Sequence, residues 1–175
     1  MKIIVVGGVA GGASTAARLR RMDEKSEIIM LERGPYISFA NCGLPYYIGE
    51  VIEDREKLLV VTPEKLKAMM NIDSRVRNDV IAIDRKKKSV TVRNLDTNET
   101  YEETYDKLVL SPGAAPIVPP LPGVDLPGVF TLRNLPDMDQ IKAYVDEKKP
   151  ARAVVVGGGF IGAGLGAGHP ARQAG

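Results

Sequence analysis

Short unbroken apolar runs alternate along this chain with stretches of mixed polarity. Ile3-Ile4-Val5-Val6 is a run of β-branched residues, and Ile28-Ile29-Met30-Leu31 is a second, closed by Glu32. Runs of this length predict strands, and the segment between them, Ala13 to Met22, is compatible with a helix, so residues 2–33 read as a β–α–β unit. From residue 72 to 105 the pattern becomes strand-like alternation. Asp79–Asp84, Ser89–Leu95 and Glu99–Tyr105 predict strands separated by Arg85-Lys86-Lys87-Lys88 and Asp96-Thr97-Asn98, which are turn compositions. Lys107-Leu108-Val109-Leu110-Ser111 then predicts a return to a buried strand. The fold class is α/β, a parallel sheet with an antiparallel meander appended.

Local signals place the remaining elements. Thr62-Pro63-Glu64 reads as an N-cap with proline at the first helical position, opening a helix to about Met70. Pro45 confines any helix near residue 42 to a start at about Cys42 or just after it, because proline lacks a donor and is tolerated only in a first turn. Five prolines keep the stretch from Pro116 to Pro127 extended, a stiff connection. Pro136–Lys149 predicts a helix with Met138, Ile141 and Val145 at helical spacing, more in keeping with core than with cofactor contacts. Ala151–Val156 predicts a further strand.

Two of the predicted strands run into glycine-rich loops. The first is Gly7-Gly8-Val9-Ala10-Gly11-Gly12, the second Gly157-Gly158-Gly159-Phe160-Ile161-Gly162. A loop without Cβ atoms lets a pyrophosphate approach the free N–H groups and positive dipole end of the following helix. Glu32 supplies the other half of the first signal. It stands 20 residues beyond Gly12, at the end of the second strand, where a carboxylate accepts hydrogen bonds from ribose hydroxyls and repels a 2′-phosphate. Val9 replaces the middle glycine of a G-x-G-x-x-G pattern, so the order of strand, turn, helix, strand and acid carries the reading rather than the loop alone. The competing reading is an ordinary β–α–β unit whose glycines serve only helix–strand packing. The second loop is a full G-x-G-x-x-G.

Composition narrows the field. A chain of 175 residues with 44% hydrophobic and 26% charged residues is that of a soluble globular protein, long enough for a sizeable core. A net charge of +2 gives no electrostatic case for nucleic acid, and no apolar run reaches the length of a signal-peptide core or membrane helix. The expected compartment is a reducing cytoplasm, in keeping with a single cysteine, Cys42, which excludes an internal disulfide. No metal site is expected. At a helix N-terminus Cys42 would be favoured as thiolate and nucleophilic. With neither C-x-x-C nor C-x-x-x-x-C present, a working Cys42 cycles through a species it can form alone: a mixed disulfide, a persulfide or a sulfenic acid. Its other reading is a small buried hydrophobe.

Gly7-Gly8-Val9-Ala10-Gly11-Gly12-Ala13-Ser14, Glu32-Arg33, Ser38-Phe39-Ala40-Asn41-Cys42-Gly43-Leu44-Pro45-Tyr46 and Leu110-Ser111-Pro112-Gly113-Ala114 together resemble the single-cysteine branch of the FAD-dependent pyridine nucleotide-disulfide oxidoreductases. Within it the resemblance is to coenzyme A disulfide reductases and NADH-dependent persulfide reductases, and it runs from about Met1 to Gly162. In that family Val9 is an ordinary residue at its position. The resemblance implies a Rossmann-like FAD domain whose first part covers residues 1–115, a connecting loop and helix at 116–150, and at 151–175 the truncated start of an NAD(P)H-binding domain.

It also implies site roles. Gly7, Gly8, Val9, Ala10, Gly11, Gly12, Glu32, Arg33, Ser111, Pro112, Gly113 and Ala114 would serve FAD, and Gly157, Gly159 and Gly162 the nicotinamide nucleotide. Cys42 would be the redox-active nucleophile. Ser38 and Asn41 match positions lining the substrate thiol pocket, and Ser14, Arg18 and Arg21 match positions near coenzyme A, where a guanidinium can pair with phosphate. The other reading of these arginines is a solvated basic face, as it is for 85–88. A further basic position of some coenzyme A disulfide reductases is Met70 here, a departure from the coenzyme A pattern.

The implied activity is NAD(P)H-dependent reduction of a small disulfide or persulfide, with turnover by this chain alone not expected. The longer protein would be a homodimer, acting on a small-molecule thiol or disulfide substrate such as coenzyme A. The runner-up is an NADH oxidase or peroxidase cycling through a sulfenic acid, and a third reading is a non-catalytic FAD-binding module. The residues after Gly162 depart from the family's helix through alternating glycines and Pro170, suggesting a truncated or frameshifted end. His169, the only histidine, falls there and is given no catalytic role.

Overall fold

The computed structural model describes residues 1–159 and Gly162. It divides into two compact units, one made of Met1–Phe39 and Leu59–Gly113, the other of Ala40–Leu58 and the chain from Ala114 onward.

The first unit is built on a four-stranded parallel sheet. Strands β1 (Lys2–Val6), β2 (Glu27–Glu32), β3 (Asp73–Val76) and β7 (Lys107–Leu110) lie in the order β3-β2-β1-β7. The two central strands read as continuous apolar runs because both faces are covered. Ile3, Val5, Ile28 and Met30 are buried on one face with Ala16, Leu66 and Ile72, while Ile4, Ile29 and Leu31 on the other are buried with Val90 and Val92. The first face receives helices α1 (Ala10–Met22) and α3 (Pro63–Met70). The second receives the antiparallel meander β4 (Asn78–Asp84), β5 (Ser89–Asn94) and β6 (Thr100–Thr104).

Several expectations hold and some need correction. The basic run 85–88 is a hairpin turn: Asp84 Oδ1 accepts the Lys86 and Lys87 N–H groups, both at 2.9 Å, and Lys88 takes a left-handed φ of 50°. Thr62 caps α3 with Pro63 in its first turn, and Asn71 closes it in the left-handed region. β7, expected as a buried strand, is an edge strand among the described residues, pairing there only with β1 and leaving Leu110 exposed. In the sequence β3 is not separable from the alternating stretch that follows it. Its four half-buried residues, Asp-Ser-Arg-Val, carry no apolar pattern, and its membership of the parallel sheet comes from pairing with β2. Helix α1 begins at Ala10 rather than Ala13. Glycine's poor helix propensity hides the first turn, yet the Ala13 N–H already donates to the Val9 carbonyl at 2.9 Å.

The second unit holds α2 (Leu44–Ile48) and α4 (Leu135–Lys148), which pack on each other. α4 opens with a capping box in which Asn134 accepts the Asp137 N–H while Asp137 accepts the Asn134 N–H, and Leu135 and Met138 are fully buried. Ile141 and Val145 are half-buried, so the helical stripe is a core stripe. Ala151–Val156, expected as a strand, is not one: Val154 and Val156 are 88% and 93% exposed, and among the described residues no strand pairs with them. An apolar run becomes a strand only when a neighbour takes its backbone groups.

Candidate active site

In the first unit, β1 delivers the chain into Gly7, whose φ of 95° no side chain tolerates well, and whose N–H still donates to Leu31 at 2.8 Å. A methyl group on Gly7 would overlap the Ser111 carbonyl oxygen, and one on Gly12 would overlap the Gly7 carbonyl oxygen. A Cβ on Gly8 would fall 2.8 Å from Ile37 Cγ2. The loop is therefore walled by backbone on two sides, and glycine is required by space as well as conformation. Ser111 is fixed there by its own N–H, which donates to Val6 at 2.8 Å, and its hydroxyl lies toward Gly11. Pro112 borders Gly7, Gly113 takes φ 70°, and Ala114 belongs to the second unit.

The start of α1 is open. Val9 supplies no side-chain cap, no acid stands in the first turn, and Ala10 and Gly11 are exposed. Orphan N–H groups with a positive dipole and no internal anion suit an external phosphate. Beside the loop, Glu32 accepts the Gly8 N–H through Oε2 at 2.7 Å and the Gly34 N–H through Oε1 at 2.6 Å. The carboxylate thus braces the loop it was expected to border. Gly34 was missed in the sequence; its place two residues after an acid that ends a strand was the available signal. The Ser38 N–H donates to the Gly8 carbonyl at 2.9 Å, which ties the start of the cysteine motif to the same loop.

The expected side chains divide along α1. Ser14, Arg18 and Arg21 are exposed, and their i, i+4, i+7 spacing puts them on one face. Neither Arg18 nor Arg21 makes a hydrogen bond or ion pair among the described residues, and the same holds for exposed Arg33. Arg20 is different. It is 8% exposed and donates to the carbonyls of Met70, Asp23, Glu24 and Asn71, fastening α1 to the end of α3. Met70, at the departure from the coenzyme A pattern, contributes its carbonyl to this buried guanidinium.

Cys42 lies in the second unit. It sits inside a 3-10 turn, Asn41–Gly43, immediately ahead of α2, rather than at the first residue of the α-helix, and Pro45 falls in the first helical turn as its chemistry requires. Both Asn41 and Cys42 are exposed, which removes the reading of Cys42 as a small buried hydrophobe. Beneath it, Gly43 is buried so closely that a Cβ there would come 2.5 Å from Leu58 Cδ2. In the same unit, two described positions of the second glycine loop match the first: Gly157 has φ 113°, and a methyl on Gly162 would overlap the Gly157 carbonyl oxygen. Gly159 is exposed beside them.

The profile of the pyridine nucleotide-disulphide oxidoreductases matches residues 1–169. The chain belongs to that family. Its members use FAD and NAD(P)H. Among curated oxidoreductases of the family, the coenzyme A disulfide reductase of Staphylococcus haemolyticus is 47% identical over 160 residues, covering 91% of this chain and 36% of the relative. Among solved structures, reduced CoADR-RHD of Bacillus anthracis is 61% identical with a TM-score of 0.93, covering 95% of this chain and 30% of that one. An NAD-dependent persulfide reductase from A. fulgidus is 34% identical with a TM-score of 0.90, over 96% of this chain and 32% of that one. The chain thus spans about a third of the length of the oxidoreductases it matches. No helix among the described residues is long and apolar enough to cross a membrane.

Proposed function

We propose that this chain supplies the FAD-binding and cysteine-bearing part of an oxidoreductase that reduces a coenzyme A disulfide or persulfide through Cys42. The observation that supports it most is the exposed sole cysteine of a family member, seated on a glycine that leaves no room for a side chain. The first glycine loop fits a dinucleotide on this structure's own terms: a cradle that any Cβ would fill, opening on an uncapped helix start. Gly7, Gly8, Val9, Ala10, Gly11 and Gly12 would take the FAD pyrophosphate, Ser111, Pro112, Gly113 and Ala114 would border it, and Glu32 with Arg33 would serve the ribose end. Bound FAD would carry an electron pair from the nicotinamide nucleotide held at Gly157, Gly159 and Gly162 to the sulfur chemistry.

Cys42 does the rest. Its thiolate attacks one sulfur of the substrate disulfide, forming a mixed disulfide and expelling the other half as thiolate; two electrons and a proton then release the second half as thiol and restore the Cys42 thiolate. Asn41 and Ser38 would line the thiol pocket. Ser14, Arg18 and Arg21, exposed on one face of α1, would meet the phosphates of a coenzyme A substrate, for which two guanidinium groups without a partner among the described residues are suited. A reducing cytoplasm suits a lone reactive thiol. The longer protein would act as a homodimer, and this chain alone would bind FAD without turnover.

The first test is the visible spectrum of the purified chain, with FAD quantified after denaturation. Near-stoichiometric flavin is expected; none, even after soaking with FAD, would overturn the cofactor assignment for this chain. Product analysis on the longer protein then separates acceptors. Oxidation of NADH by coenzyme A disulfide or persulfide, lost in Cys42→Ser, is the expected result, whereas oxidation by peroxide alone would select the sulfenic acid cycle.

A further inference from the structure

The segment that carries Cys42 has little to hold its own shape. Ala40–Leu58 contains a three-residue 3-10 turn, the five-residue α2 and a second short 3-10 turn at Arg55–Leu58. Elements this short are not stable alone, so the place of Cys42 must be set by what they are tied to. Inside the second unit the ends of the segment meet, the Ala40 N–H donating to the Leu58 carbonyl at 2.8 Å. Gly43 packs against Leu58 and Ile52 within the segment, and α4 adds side-chain ties to it.

Two side chains of α4, three positions apart and hence on one face, reach the segment with opposite charge. Asp139 receives a two-pronged guanidinium: Arg55 Nε donates to Oδ1 at 2.8 Å and Nη2 to Oδ2 at 2.7 Å. Lys142 donates to Glu50 Oε1 at 2.9 Å and to Asp146 Oδ1 at 2.5 Å. The Lys142 ammonium, held by Asp146 and Glu50 against a smaller opposing effect of burial, titrates above the usual lysine range. The sign pattern specifies one seating. Sliding α4 so that Asp139 faced Glu50 and Lys142 faced Arg55 would bring like charges together. A fork-on-carboxylate pair also fixes orientation, which a single point contact does not.

We propose that Asp139 and Lys142 are positioning residues for Cys42, acting through Arg55 and Glu50 to hold the cysteine turn in its reactive placement. The inference rests on the reading of Cys42 as the nucleophile. It ties that segment to α4, which eight residues separate from the second glycine loop.

Because Cys42 is the sole cysteine, the rate of its alkylation by iodoacetamide across pH reports on this thiol alone. The full chain is compared with Arg55→Asp, Asp139→Arg, the two combined, Lys142→Met, and Lys148→Met, whose pair with Glu147 lies on the same helix away from the segment. If placement matters, both single reversals slow alkylation at neutral pH by about three- to fivefold, since each breaks the same fork. Lys142→Met acts in the same direction, Lys148→Met changes nothing, and the double reversal recovers the wild-type rate to within about twofold. A pure charge effect changes the rate in opposite directions for the two reversals. That result, unchanged rates, or a double reversal no better than its singles would overturn the proposal. Coenzyme A disulfide turnover that survives Cys42→Ser in the longer protein would instead remove the functional reading, a failure distinct from that of the clamp.

Discussion

Gly12 and Gly11 are neighbours in one loop with different obligations. A methyl on Gly12 would occupy the space of the Gly7 carbonyl oxygen, which cannot retreat because Gly7 is pinned through its own N–H to β2. A methyl on Gly11 meets only the Ser111 side chain, its hydroxyl at 3.3 Å and its Cβ at 3.5 Å, and the substitution removes glycine's cost in a helix. We expect Gly12→Ala to destabilise the chain by about 2–3 kcal/mol in urea unfolding and Gly11→Ala to stay within about 0.5 kcal/mol of the parent. Equal effects would mean that the loop relaxes and the cradle is soft. Cys42 shows the limit of residue-by-residue reading: its motif marked it as chemical, while its exposure, which excludes the packing role, had to be seen.

Among the elements, β6 is held to the parallel sheet by charge as well as by apolar contact. Glu103 accepts from Lys2 on β1 at 2.6 Å and from Arg75 on β3 at 2.9 Å, and Arg75 also bonds Asp73 and Tyr101. Burial pushes the Glu103 carboxyl up, but the hydrogen bonds from Lys2 and Arg75 outweigh it and leave it below the usual glutamate range. A carboxyl depressed in the folded state binds fewer protons there than in the unfolded chain. Its contribution is therefore complete above the ordinary glutamate range and is lost as pH falls through the folded value. Glu103→Gln should cost about 1 kcal/mol at pH 7 and flatten the acid limb of the stability curve, measured by urea unfolding between about pH 3 and 7. Part of the limb remains, because Asp23, held low by Ser26, Asp84, held low by the Lys87 N–H, and Glu64, held low by its own N–H and Thr62, titrate there too. A limb as steep in the variant as in the parent would assign no role to Glu103. None of these pairings was legible beforehand. The strands of the first β–α–β unit, the meander and the caps of α3 could be read because period, turn chemistry and caps are local. β3 and the Arg55–Asp139 fork depend on partners far away in the chain, and Ala151–Val156 looked like a strand because its composition is local too while strand pairing is not.

For the molecule as a whole, apolar character and stability are separate matters. Val92 and Val156 are the same residue in similar runs, one fully buried beneath the parallel sheet and the other 93% exposed. Val92→Ala should cost about 1–3 kcal/mol, whereas Val154→Ser combined with Val156→Ser should leave the unfolding midpoint of this chain within about 0.5 kcal/mol. A large loss from the serine pair would show that residues 151–156 are packed in solution. The wall that Ser111 gives to the first glycine loop also sets a schedule. Gly7 and its helix leave the ribosome about a hundred residues before Ser111, which follows the whole meander. A nascent chain can close β1 on β2 early, yet its first glycine loop lacks one wall until β7 has been synthesised and has found the far edge of β1. On the proposed reading of this loop, cofactor capture belongs to the end of this unit's biosynthesis, and a stall before residue 107 would leave an ordered sheet with an unfinished loop wall.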